Sequence, residues 1–291
     1  MRIRTILLQG SSVKSLTFLG DMFDGVQCPC ILLQLIATGK PLSTAGMMIE
    51  DRTRTYTIAM ERTVVPENFS FRMTDEEYRV LEKIKNSIPV CYLADHADFA
   101  LGIVTGNNKK FLSAEKTEHS EMVLKGTDIC KYHINPAKQY LRFKPEQFQQ
   151  VAPLEIYRAP EKLLYRFISN QLVVAYDDRQ MLSLNSCNIV IPKIEGMQIK
   201  YILAILNSSV SQFVYQKEFH SIKVLRAHME HIPIPRVGKA IQNEIIAMTE
   251  PLICGMGKEA AETCQKRLDG RIMDLFRLSA EEQWIIRHAL H

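Results

Sequence analysis

The pattern of the apolar positions divides the chain into three stretches, and each marks a different kind of structure. Lys14 to Gly20 leads into the turn Asp21-Met22-Phe23-Asp24-Gly25, and Val26 to Ile36 follows as a nearly continuous apolar run. A run of that length between turn signals reads as a strand buried on both faces. Thr38-Gly39-Lys40-Pro41 ends it, and Thr53 to Met60, where Arg, Tyr, Ile and Met alternate with threonines, reads as a half-exposed or edge strand. Thr74-Asp75-Glu76-Glu77 ahead of Tyr78, Val80, Leu81 and Ile84 is a capping box opening a short helix, which Ser87-Ile88-Pro89 stops. Residues 1–87 are therefore expected to form a strand-rich segment that ends at a domain boundary.

Residues 88–239 hold short apolar segments broken by Gly, Asn and Pro, the spacing of strands and turns. One helix interrupts them, because Ile199, Ile202, Leu203, Ile205, Leu206, Val210 and Phe213 recur at helical spacing in a stretch running to Lys217. His231-Ile232-Pro233-Ile234-Pro235 must be extended, since proline restrains itself and its predecessor. In residues 240–291, Ile241, Ile245, Ile246, Met248, Leu252 and Ile253 form one apolar stripe, and Leu268, Ile272, Leu275 and Phe276 a second. A capping box at Ser279-Ala280-Glu281-Glu282 opens a last helix with Trp284 and Ile285. The expected class is α+β: a strand-rich N-terminal segment, a mixed α/β middle domain and a C-terminal helical hairpin with a short terminal helix.

Composition adds limits. Of the 291 residues, 46% are hydrophobic and 23% charged, which supports a packed core and excludes disorder. No apolar run approaches the roughly 18 residues of a membrane span, and the start is too soon polar for a secretory signal, so a cytoplasmic protein without a membrane partner is expected. Seven scattered cysteines form neither a disulfide framework nor a paired zinc spacing and are expected to be thiols. The net charge of +4 decides nothing about nucleic acid, since a DNA-binding stripe hides easily in a nearly neutral total.

Cys28-Pro29-Cys30 lacks partners for a zinc site and has one residue too few for a redox pair, so it reads as small residues in a buried strand. His228 and His231, with Glu230 misplaced for a zinc protease, read as surface histidines at a helix end. No nucleophile elbow occurs, no carboxylate pair stands out, and Gly255-Met256-Gly257 has no strand before it. No catalytic, cofactor-binding or metal-binding residue is therefore assigned. The most informative local motif is Gly102-Ile103-Val104-Thr105-Gly106-Asn107-Asn108-Lys109-Lys110-Phe111. It fits a strand-to-strand turn with solvated lysines, and it equally fits a loop whose lysines touch phosphate and whose asparagines touch bases. Leu124-Lys125-Gly126-Thr127-Asp128-Ile129 has the same two readings.

The ordered set GIVTGNNKKF, LKGTDICKY, EKLLYRFISNQLVVAYDDRQMLSLNSCNIVIP, YILAILNSSVSQFVYQK, HMEHIPIP and LDGRIMDLFRLSAEEQWII resembles the C-terminal half of the TaqI-like adenine-N6 DNA methyltransferases of restriction-modification systems. TFLGDMFDGVQCPCILLQLIA looks like the last strands of the methyltransferase domain of that family. The resemblance implies a methyltransferase remnant at 1–87, a target-recognition (specificity) domain at 88–239 and a helical segment at 240–291. It implies a function of binding double-stranded DNA, with a methyltransferase catalytic half as partner in cis or in trans. An Asn-Pro-Pro-Tyr/Phe motif, which holds a flipped adenine, has no counterpart, since Asn135-Pro136-Ala137-Lys138 lacks the second proline and the aromatic ring. A glycine-rich S-adenosylmethionine loop is absent too, so that cofactor is expected of the parent enzyme and not of this chain, which looks like the non-catalytic half of a split, truncated or excised enzyme.

The expected DNA contacts are Thr105, Asn107, Asn108, Lys109, Lys110, Lys125, Thr127, Arg166, Lys217, Lys223, Arg226 and Arg236. Lys217 and Arg226 fit a solvated helix face equally well, and Tyr165 alternates with apolar neighbours as a core strand residue does. A type I-like specificity subunit fragment and a non-DNA protein-interaction domain remain as alternatives, although the helices at 240–291 look short for the coiled-coil role of a type I subunit.

Overall fold

A computed structural model describes residues 2–26, 28–64, 70–219 and 221–290. The chain divides into two compact units, 1–82 and 83–291. The first begins with a helix, α1 (Arg2–Gly10), inside the segment expected to be strand-rich. Strands β1 (Ser11–Asp21), β2 (Pro29–Ala37), β3 (Met48–Glu50) and β4 (Thr55–Thr57) follow, in a sheet ordered β2-β1-β3-β4. Its core is Val13, Leu16, Met47, Ile49, Ile58 and Phe71.

The apolar run at 26–36 is not buried as its composition suggests. Gln27 lies outside the described residues, and β2 exposes Ile31, Leu32, Leu35 and Ile36 by 42–61%. The physical reason is topological: β2 is an edge strand paired only with β1. Cys28 is exposed and Cys30 half-buried at the start of that strand, which corrects the buried reading.

Helix α2 (Asp75–Asn86) opens on the expected capping box, with Thr74 Oγ1 accepting from Glu77 N–H at 3.2 Å and Glu77 Oε2 accepting from Thr74 N–H at 2.8 Å. The second unit then runs through β5 (Val90–Cys91), β6 (Ala97–Ala100), the single turn α3 (Asn108–Phe111), β7 (Leu112–Ser113), β8 (Glu121–Leu124), β9 (Tyr140–Leu141), α4 (Leu154–Tyr157), β10 (Lys162–Arg166), β11 (Val174–Asp177), β12 (Leu182–Ser183) and β13 (Cys187–Pro192). An antiparallel sheet ordered β11-β10-β13-β6 stands beside a sheet ordered β12-β8-β9-β7, and a core that includes Ile103, Val123, Leu141, Leu164, Leu182 and Ile189 joins them.

Helices α5 (Ile199–Asn207) and α6 (Ser209–Phe219) replace the single helix expected there. Asn207-Ser208-Ser209 breaks it because short polar side chains offer the backbone other partners. Ser208 is extended (ψ 158°), its Oγ accepts from Ser211 N–H, and Asp269 accepts from both Ser209 N–H and Ser209 Oγ. Next come α7 (Arg226–Glu230) and β14 (Ile234–Pro235), which is extended as the proline pattern requires and pairs with β5. Helices α8 (Lys239–Cys254), α9 (Lys258–Leu275) and α10 (Ala280–Ala289) form the expected hairpin and terminal helix. Residues Tyr201 to Asn207 of α5 are all buried, with β11 and α8 both packed against this helix. No helix among the described residues is long and apolar enough to cross a membrane.

Candidate nucleic-acid interface

Two glycines bring the loops of the second unit together. A Cβ on Gly102 would stand 2.1 Å from the Leu184 carbonyl oxygen, and one on Gly126 would stand 2.4 Å from that of Ser186. Only glycine permits such backbone approach. Main-chain N–H donors then stitch five loops in series. Ile103 N–H donates to Ser183 O (2.7 Å), Asn185 N–H to Ile103 O (3.1 Å) and Leu184 N–H to Leu124 O (2.8 Å). Gly126 N–H donates to Ser186 Oγ (3.0 Å), Phe167 N–H to Ser186 O (3.0 Å) and Val224 N–H to Phe167 O (2.8 Å). The result is a hydrogen-bonded series of loops, here termed the ridge: 101–107, 124–129, 166–169, 184–187 and 222–226.

The predicted residues take different places on it. Lys109, Lys110, Thr127, Lys223 and Arg226 are exposed and Lys125 is half-buried. Thr105 is buried, with its hydroxyl donating to Asn108 Oδ1 at 2.6 Å. Asn107 caps α3, its Oδ1 accepting from Lys110 N–H at 3.2 Å. The loop thus ends in a helical turn whose own asparagines hold it shut. Arg166 works inward, donating from Nε to Gly126 O (2.9 Å) and from Nη2 to Ile129 O (2.6 Å), so it props the 125–129 loop. Arg226 pairs with Glu230 at 2.7 Å, which raises the guanidinium pKa above its ordinary value, and lies 5.2 Å over Phe99.

Lys217 corrects both of its readings. It is 6% exposed with Nζ 5.7 Å from the Phe213 ring, and a buried ammonium reaches neither solvent nor phosphate. Arg236 is exposed on the β5/β14 ribbon, where its N–H donates to Pro89 O, outside the stitched series of loops. Tyr165 is in the core at 3% exposure, and burial pushes its hydroxyl up to about 12 against the opposing hydrogen bond from Asn188.

His228 is no surface histidine. It is 8% exposed, stacked on Phe219 at 4.4 Å, and its Nδ1 accepts from Leu225 N–H at 3.2 Å. Burial lowers its pKa, although the Lys223 carbonyl beside the ring opposes the shift. His231 is exposed, as expected. Among the described residues no group of three or more His, Cys, Asp or Glu side chains could hold a metal ion.

Sequence reasoning missed three polar positions. Asn185 is exposed and Ser186 half-buried in the β12–β13 turn, where an Asn-Ser pair between two strands was the available signal. Gln149, exposed, lies against Gly106, and nothing in QFQQ marked it. Beside the ridge, an open groove of about 710 Å³ runs along the free edge of β6, lined by Phe99, Gly102, Gln150, Pro153 and Arg226 among others.

Residues 121–234, which hold four of the five ridge segments, match the family described as TaqI-like C-terminal specificity domain. No curated protein matches the chain by sequence. Among solved structures, the type IIL restriction-modification enzyme MmeI in complex with DNA is similar, with 10% identity and a TM-score of 0.59 over 97% of this chain and 45% of that one. The type IIG restriction endonuclease BpuSI is 10% identical, with a TM-score of 0.42 over 94% of this chain and 44% of that one. The HsdS subunit from Thermoanaerobacter tengcongensis is 13% identical, with a TM-score of 0.38 over 74% of this chain and 50% of that one. One segment of the chain, 121–234, thus matches the TaqI-like C-terminal specificity domain, and the chain shares its fold with the MmeI structure and spans at most half the length of these structures.

Proposed function

With a TaqI-like specificity domain as the premise, we propose that this chain is a sequence-specific DNA-binding target-recognition module of an adenine-specific DNA methyltransferase or restriction-modification enzyme. The observation that carries the reading is that four of the five segments of the stitched ridge lie within the matched residues 121–234. Lys125, Thr127, Asn185, Lys223 and Arg226 stand on it, and the loop bearing Lys109 and Lys110 continues it. Cations on such a ridge neutralise phosphates of double-stranded DNA, and carboxamides and hydroxyls meet base edges. The solved MmeI structure is a complex with DNA, which supports the same reading.

Methyl transfer and S-adenosylmethionine belong, in this reading, to a catalytic half that acts with this chain in cis or in trans. Such a division leaves the present chain to bind without reacting. Incubated with labelled S-adenosylmethionine and mixed-sequence duplex, it should place no label on adenine.

The direct test is fluorescence anisotropy on duplexes at several salt concentrations. Each phosphate contact contributes about 0.9 to the slope of log affinity against log salt, so Lys109→Ala with Lys110→Ala should flatten it by about 1.8. A double variant that binds like the parent at every salt concentration would remove that loop from the interface. A parent chain with no preference among duplexes would overturn the function.

A further inference from the structure

We infer that Gln149 is a base-reading, specificity-determining residue that recognises adenine in the major groove; this deepens the DNA-binding reading and rests on it. Bidentate pairing with adenine requires a carboxamide whose oxygen and nitrogen are both available in one plane, the oxygen for N6–H and the nitrogen for N7. The two asparagines of the 102–111 loop itself are compromised. Asn107 Oδ1 accepts from Lys110 N–H to cap α3, and Asn108 Oδ1 accepts from the Thr105 hydroxyl. Turning either toward a base would surrender the bond that closes the loop.

Gln149 has the opposite character. It is exposed, and no hydrogen bond to any described residue engages its carboxamide. It is nevertheless held in place. On one side Phe148 is fixed by an edge-to-face contact with Phe111 (centroids 5.4 Å) and by Phe143 (6.1 Å). On the other, Gln150 exchanges two main-chain hydrogen bonds with Val104, at 2.9 and 3.1 Å. Between these anchors the Gln149 side chain rests on Gly106, whose φ is +77°. A Cβ there would lie 3.4 Å from Gln149 Cβ and 3.6 Å from Oε1. A clamped backbone removes the main-chain share of the ordering cost on binding and leaves only the side-chain rotamers to be fixed, which helps a reader of base edges. Its neighbours across Gly106 are the loop carrying Lys109 and Lys110, which supplies phosphate contacts to fix the register.

The test is selection of the full chain on a randomised duplex library, followed by sequencing of bound DNA, for the parent, Gln149→Ala and Gln149→Glu. The parent should yield a motif with an adenine at one position. Gln149→Ala should relax that one position by roughly ten- to a hundred-fold while leaving affinity for random duplex within about two-fold. Gln149→Glu should shift the position toward cytosine, whose N4 amine donates to a carboxylate. Circular dichroism on both variants checks that the exposed substitution leaves the fold intact. An unchanged motif in Gln149→Ala, or a loss spread equally over all sequences, overturns the assignment while the DNA-binding reading stands. A parent that selects no motif overturns both.

Discussion

Lys162 and Asp177 form an ion pair with no solvent exposure on either side chain, and its removal has calculable consequences. Lys162 Nζ donates to Asp177 Oδ2 at 2.6 Å and to Tyr157 O at 2.6 Å, while Asp177 also accepts from Arg179 N–H and Met181 N–H, both at 2.9 Å. Breaking a buried pair by removing one partner costs about 3–5 kcal/mol, because the remaining charge stays buried without compensation. The two halves should not cost the same. After Lys162→Met the carboxylate keeps two N–H donors, which places the loss near 3 kcal/mol. After Asp177→Asn the ammonium keeps two neutral acceptors, the Tyr157 carbonyl and the amide oxygen, but loses its counter-charge, and Arg179 N–H loses its acceptor, which places the loss near 5 kcal/mol. For a unit of this size, roughly 2–4 °C of Tm accompanies each kcal/mol, so single variants should melt about 6–20 °C lower. Lys162→Met combined with Asp177→Asn should recover part of the loss, since no unpaired charge remains. Differential scanning calorimetry on the parent, both singles and the double completes the cycle. Singles within 1 kcal/mol of the parent, or a double equal to the sum of the singles, would refute the view of the pair as a dry strut.

Two more predictions concern other charged groups held by internal bonds. Arg166→Met removes two charge-assisted bonds to Gly126 O and Ile129 O, worth about 1.5–3 kcal/mol each, and should lower Tm and DNA affinity without changing the salt slope; a flatter slope with unchanged Tm would instead make Arg166 a phosphate contact. Burial pushes the Asp75 carboxyl up, but the hydrogen bonds from the nearly fully buried Arg62 guanidinium and from Ala59 N–H outweigh it and hold the pKa below its ordinary value. Its folded pKa is therefore below the unfolded one, so its contribution is present above the ordinary aspartate range and fades as pH falls through the folded value; Asp75→Asn should remove that part of the acid transition in circular dichroism.

The sequence made most elements legible because local signals and tertiary demands agreed in them. The capping boxes at Thr74 and Ser279 and the extended Ile234-Pro235 need nothing beyond neighbours in the chain. Misreadings arose where distant partners decide the outcome. The apolar run before Ile36 reads as buried, yet topology leaves β2 at a sheet edge. Lys217 reads as a solvated or DNA-facing cation, but its place on α6 packs it inside. The ridge itself was half legible: the glycines and basic residues were visible, whereas the close approach of Gly126 to Ser186, 60 residues away, is a fact of folding alone.

That half-legibility follows from how a recognition loop must be built. A side chain that reads a base has to be free of internal bonds, and a loop precise enough to present it has to be full of them. The polar residues most conspicuous in a turn are the ones best suited to bond their own backbone, so they are spent on rigidity. Asn107, Asn108, Thr105 and Arg166 all hold loops closed, and each reads from sequence as a DNA contact. On the proposed reading, the residues left over for recognition are those whose length or position keeps them from satisfying themselves: Gln149 between its two anchors, Asn185 in the β12–β13 turn, and Lys109, Lys125 and Lys223 at the rim. Substitution at the first group should therefore blur every position of a bound site together. Substitution at Gln149 should change one position alone, because no hydrogen bond to a described residue passes through its carboxamide.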